Sequence, residues 1–239
     1  MKRVAILGVL TLAACVELGP VTSAPDPTVA VTPVADAGPA LDAATAARNF
    51  SIVVARMEPL AEAECRARLR DQNCDFQIVI DTTAGAPSNA YQTRDKAGRP
   101  IIAFTSALIS DARNVDELAF VMGHEAAHHI LSHIPRQQQT ALTGALLSGV
   151  AAAVLGADQS TIEKAQNIGG TVGARTYSKD FELEADELGT VLAFRAGYDP
   201  ERGAAFFARI PDPGDRFLGT HPPNAQRIAI VRQTLAQLR

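Results

Sequence analysis

Four of the chain's five histidines fall in the ten residues His124-Glu125-Ala126-Ala127-His128-His129-Ile130-Leu131-Ser132-His133. Each imidazole must find a metal, a hydrogen-bond partner or water wherever it folds, so this cluster constrains the chain more than any compositional feature. Asn114-Val115-Asp116-Glu117 reads as an N-cap with a box-like glutamate three residues on, and Pro135 marks a stop. The spacing therefore predicts one helix over residues 115–134. His124 and His128 are then about 40° apart around its axis, and both rings reach one ion. Glu125 lies about 60° from His128, beside the ion rather than on it, where a carboxylate can take a proton from water. His129 and His133 form a second pair on another face with no glutamate in the equivalent place. They are expected to be bystanders, solvated or packed behind the ligands.

Two histidines do not hold a catalytic zinc, which needs a third protein ligand and a fourth position left for water. Phe181-Glu182-Leu183-Glu184-Ala185-Asp186-Glu187-Leu188-Gly189 offers one. On a helix Glu182, Asp186 and Gly189 share a stripe about 60° wide, with Glu184 about 200° away from Glu182. Glu182 is the expected ligand. Asp186, one turn on, is placed to accept a hydrogen bond from a ligand histidine, and Gly189 would let the two helices approach closely. Without the upstream histidines the same segment would read as an acidic, solvated helix face.

The rest of the chain supplies the frame. With 239 residues, 47% hydrophobic and 20% charged, there is material for one catalytic-sized domain. The net charge of −4 and the lack of a basic cluster beyond Lys2-Arg3 argue against nucleic-acid binding. Three cysteines without C-x-x-C spacing exclude a cysteine zinc finger. A long amphipathic helix is expected over 41–71, with Pro59 as a kink or break. Phe76 to Ile80, Asn89 to Thr93 and Pro100 to Thr105 read as strands of a small antiparallel sheet, and from residue 106 the pattern is helical. The expected fold class is α+β, mainly helical. Ala141 to Leu155 is apolar but spans only fifteen residues, so a core helix or surface hairpin is expected rather than a membrane span. An exposed patch facing membrane or a partner is the other reading.

The start of the chain reads as an address. Lys2-Arg3 precedes an apolar run of eleven residues from Val4 to Ala14, too short for a bilayer and typical of a signal peptide. Leu12-Ala13-Ala14-Cys15 resembles a bacterial lipobox, which would make Cys15 the lipidated N-terminus; an ordinary signal peptide cut nearby is the alternative. Five prolines between Gly19 and Ala40 suggest an extended tether reaching roughly 70 Å. The expected division is 1–14 signal peptide, 15–40 lipidated cysteine and tether, 41–239 catalytic domain. In an oxidising periplasm Cys65 and Cys74 would close a short loop; two buried thiols are the other possibility.

Taken in order, His124 and His128, the Glu182-x-x-x-Asp186 element and His221-Pro222 resemble the zinc metallopeptidases of the HtpX and CAAX-prenyl-endopeptidase type, metallopeptidase family 48. The resemblance runs from about Phe76 to Arg227. It implies a zincin-like domain with one Zn²⁺ on His124, His128 and Glu182, Glu125 as general base, and protein or peptide substrates. Asn89-Ala90-Tyr91 is similar to the family's Asn-Ala-aromatic strand, which implies substrate pairing along a sheet edge. His221 is expected to donate to the oxyanion or to latch the open metal position, a capping role before Pro222-Pro223 being the plainer alternative. Arg227 would anchor that loop through a carboxylate. The chain lacks the membrane helices of some family members and the helical repeats of others. A stand-alone lipoprotein peptidase on the periplasmic face of the envelope is therefore expected, acting on misfolded or envelope proteins. Val16 after Cys15 favours the outer membrane. The rival expectation is a periplasmic chaperone or assembly factor with a latent or structural zinc. No sequence feature bears on oligomeric state.

Overall fold

In the computed structural model, residues 38–176, 178–216, 219 and 221–239 are described. The segments expected to be a signal peptide, a lipidated Cys15 and a tether lie, up to residue 37, outside the described residues. Helix α1 (Ala43–Arg68) starts where Asp42 accepts a hydrogen bond from the Thr45 amide at 2.9 Å. Ala46, Phe50, Val53, Met57, Ala61 and Cys65 recur every three or four residues and form its buried stripe. That stripe continues on both sides of Pro59, and α1 runs unbroken through it instead of ending there. The backbone bond that proline forfeits is outweighed by packing on either side. A Cys65–Cys74 disulfide ties the end of α1 to the approach to the first strand.

The strands are β1 (Gln77–Asp81), β2 (Ala90–Arg94) and β3 (Pro100–Thr105), in the order β1-β3-β2. β2 and β3 form the antiparallel hairpin the sequence suggests, closed by a turn in which Asp95 Oδ1 accepts from the Ala97 and Arg99 amides. β1, however, pairs parallel to β3, from Gln77 opposite Ile101 to Asp81 opposite Thr105. The sheet is therefore mixed rather than wholly antiparallel. Short apolar runs carry no information on pairing direction, and here the 82–89 connection carries the chain past β3 to its far edge. β3 is central and buried, whereas β2 is an edge strand.

Next come α2 (Ser106–Asp111), α3 (Val115–Ile130), α4 (His133–Val154), α5 (Gln159–Thr176), α6 (Ser178–Arg195), α7 (Pro200–Ala204) with a 3₁₀ turn at Ala205–Ala208, and α8 (Asn224–Leu238). α3 is buried around most of its circumference. Asn114 caps it as expected, accepting from the Glu117 amide at 3.0 Å. It ends short of residue 134, because Ser132 takes a left-handed conformation with φ 57° and a new helix begins at His133. α3 and α6 touch backbone to backbone: a Cβ on Gly189 would lie 2.8 Å from the His124 nitrogen, and one on Gly123 2.8 Å from the Gly189 carbonyl. This contact brings the acidic stripe of α6 against the histidines of α3.

α4 and α5 form a surface hairpin whose inner face is lined by Gly144, Gly169 and Gly173. Leu142, Leu146, Leu147, Val150, Val154 and Leu155 stay exposed on α4 and its end. Among the described residues no helix is long and apolar enough to cross a membrane.

Candidate metal centre

One turn of α3 and the first turns of α6 converge on three donors. His124 Nε2 and His128 Nε2 are 3.0 Å apart, and the Glu182 carboxylate lies 3.5 Å from the first and 3.4 Å from the second. These are the residues among those described whose ligand atoms cluster tightly enough to share an ion. Donor–metal bonds of about 2.0–2.1 Å in tetrahedral geometry require donor–donor edges of about 3.3 Å. The observed triangle fits that requirement. Two imidazoles and one carboxylate, with one side open, is also the donor set of a catalytic rather than a structural zinc.

The electrostatics agree with the geometry. Burial opposes a charge on His124, yet hydrogen bonds to Asp186 and Glu182 outweigh it and hold its pKa up at about 10. Burial likewise opposes the Glu182 charge, but His124, His128 and His221 pull its carboxyl well below the usual range. The same carboxylates that stabilise this proton would stabilise a metal ion bound in its place.

Each ligand is held from behind. His124 Nδ1 donates to Asp186 Oδ1 at 2.9 Å, so the proton a metal would displace is the one on Nε2. Asp186 is fully buried and is itself gripped by Arg227, Nε to Oδ2 and Nη2 to Oδ1 both at 2.7 Å. Arg227 lies over the Phe207 ring at 3.9 Å. It thus anchors α8 to the metal centre through a carboxylate, and that carboxylate is Asp186. His221 Nδ1 sits 3.0 Å from Glu182 Oε2, with its side chain 54% exposed at the mouth of the site.

Of the two expectations for His129 and His133, solvated or packed behind the ligands, the second holds: both are buried. His129 Nε2 bonds the Asn73 carbonyl at 2.8 Å, a packing role. His133 Nδ1 lies 2.8 Å from His128 Nδ1, and its Nε2 lies 3.2 Å from Glu184 Oε2. Burial and the neighbouring His128 push the His133 pKa down to about 4, so its ring is neutral. Only the Pro135 stop signal hinted at the break in the helix that makes this contact.

The centre opens into a cleft of about 780 Å³ lined by Asn89 just before β2, by Ala90 and Tyr91 of the β2 edge, by Glu125, and by Phe181 and Phe206. Glu125, buried beside the ligand triangle, faces the same space as the edge strand.

Against known proteins, the profile of peptidase family M48 matches residues 49–235, most of the described chain. The chain belongs to this family. It is 31% identical over 153 residues to the putative beta-barrel assembly-enhancing protease of Vibrio cholerae, covering 57% of this chain and 31% of that protein. It is 29% identical over 147 residues to the beta-barrel assembly-enhancing protease of Escherichia coli, 56% of this chain and 30% of that one. The chain thus spans about a third of those relatives' length. Metalloprotease LoiP of Escherichia coli is 25% identical over 218 residues, covering 81% of this chain and 86% of its own. Members of the family are generally zinc-dependent, and the donor triangle is consistent with that metal.

Proposed function

We propose that the chain is a zinc-dependent endopeptidase with His124, His128 and Glu182 as ligands and Glu125 as general base. The observation that carries this reading is the shared cleft: the donor triangle, Glu125 and an unpaired strand edge all face one space. When bound, zinc supplies Lewis acidity, lowering the pKa of a water toward ~7 and polarising the scissile carbonyl. Glu125 takes the proton and delivers it to the leaving amine. The β2 edge at Ala90 and Tyr91 pairs with an extended substrate backbone, and Phe181 and Phe206 offer an apolar wall to one of its side chains. His221, half-exposed beside Glu182, is placed either to donate to the developing oxyanion or to cover the open side of the metal.

We further propose that residues 1–14 are a signal peptide and that Cys15 carries lipid. Residues 15–40 would then tether the 41–239 domain to the periplasmic face of the envelope, at the outer membrane rather than the inner. The substrates would be misfolded or envelope proteins; two of the relatives are named for beta-barrel assembly. Those names also support the second reading, an assembly factor whose zinc is latent. Incubating wild type and Glu125→Gln with an unfolded protein separates the two. The peptidase reading expects chelator-sensitive fragments from wild type and a loss of about 10²–10⁴ in rate for Glu125→Gln with zinc still bound. Full cleavage by Glu125→Gln would overturn the mechanism, and no chelator-sensitive fragments from wild type would favour the assembly factor.

A further inference from the structure

We infer that His133, clamped by Glu184 and Arg136, is a positioning residue that holds His128 with its proton on Nδ1 and its Nε2 lone pair turned toward the metal. Arg136 binds Glu184 through two bonds, Nη1 to Oε2 at 2.6 Å and Nη2 to Oε1 at 3.2 Å, which fixes the carboxylate as an ionised acceptor. A carboxylate only accepts, so His133 Nε2, 3.2 Å from Glu184 Oε2, donates to it. The ring is also pinned flat against Phe181, 4.7 Å between centroids and 12° from parallel. With its proton on Nε2, His133 presents a lone pair at Nδ1. His128 Nδ1, 2.8 Å away, must donate to it, and His128 Nε2 is left free to face His124 Nε2 and the Glu182 carboxylate. The reverse order would put a proton on His128 Nε2, between it and the ion.

The device depends on one backbone dihedral. Were α3 to continue, residue 133 would lie about 140° around the axis from His128, pointing away from it. The left-handed Ser132 ends α3 and turns His133 back onto His128. A non-glycine residue holds that conformation only against a steric penalty, and here Gln72 Nε2 donates to the Ser132 hydroxyl at 3.1 Å. His124 receives the same service directly from Asp186, whereas His128 receives it at one remove. Glu184 belongs to the opposite face of α6 from Glu182, so the two glutamates of α6 serve the metal from different sides.

The inference rests on the metal-site reading above, and the test keeps the two apart. Wild type, His133→Phe and His133→Asn are compared by zinc competition with a chelating dye. Two-bond ¹H–¹⁵N NMR on the metal-free wild type reads the His128 tautomer, and circular dichroism checks folding. Phe keeps the stack on Phe181 and deletes the acceptor; Asn restores an oxygen near the Nδ1 position. Zinc affinity is expected to fall about 10- to 100-fold in His133→Phe and to recover substantially in His133→Asn, with the proton of wild-type His128 on Nδ1. A folded His133→Phe that binds zinc as wild type does would overturn the inference. So would a wild-type His128 protonated on Nε2, a result that needs no variant to fold. Failure of wild type to bind zinc would instead defeat the metal site itself, while the tautomer measurement still decides the hydrogen-bond order.

Discussion

Replacing Arg227 by Met keeps most of the side chain's volume over Phe207 but removes both bonds to Asp186. The Asp186 side chain is 0% exposed and that of Arg227 8%, so water cannot take the guanidinium's place without opening the α6–α8 contact. Breaking a buried pair from one side costs about 3–5 kcal/mol, because the surviving charge is left without its partner. Asp186 keeps the hydrogen bond from His124 Nδ1 at 2.9 Å, which points to the lower end, about 3 kcal/mol. In a domain of this size that corresponds to a fall in Tm of about 6–12 °C. The assay is urea unfolding with chelator present, so that metal affinity does not enter the stability. Arg66→Met is the control: it breaks a solvent-facing pair with Glu62, whose Arg66 side chain is 59% exposed, and should cost less than ~1 kcal/mol. Adding Asp186→Asn to Arg227→Met removes the stranded charge and should restore part of the loss. If Arg227→Met destabilises no more than Arg66→Met, the reasoning from burial fails.

Gly189→Ala would place a methyl 2.8 Å from the His124 nitrogen and force α3 and α6 apart. A loss of about 1–3 kcal/mol in chelator, together with weaker zinc binding in dye competition, is the expected result. Replacing Cys65 and Cys74 together by Ser opens a loop with a sequence separation of 9. Denaturant unfolding should show a loss of about 2–3 kcal/mol, and reduction of the wild type should mimic it. Burial, and then the charges of Glu62 and Asp75, push the Glu58 carboxyl up in the folded protein. Its ionised form is therefore disfavoured by folding, a cost that is absent below the unfolded pKa of 4.5, grows as pH rises from there to the raised folded value, and is constant above it. Glu58→Gln should accordingly raise Tm at pH 7 and leave it unchanged near pH 3, as measured by thermal melts across that range.

The parts of this site that lie one helical turn apart were legible in the amino acids, because a helix converts a spacing of three or four residues into a shared face whatever surrounds it. His124 with His128, Glu125 beside them, and Glu182 with Asp186 and Gly189 all follow from that rule. Even the close approach of the two helices was foreshadowed by Gly189. What periodicity could not carry were the relations set by a single dihedral or by long-range contact. The left-handed Ser132 turned His133 from an expected bystander into a neighbour of His128. Glu184, on the far side of α6 from Glu182, found a use only because α4 lies against that face. β1 came out parallel to β3 because strand direction depends on where the connection crosses, not on the residues within the strands. Local spacing names the donors, since it acts within one turn of backbone. Their support depends on side chains such as Asp186 behind His124 and Glu184 behind His133, which meet them only once the chain has packed.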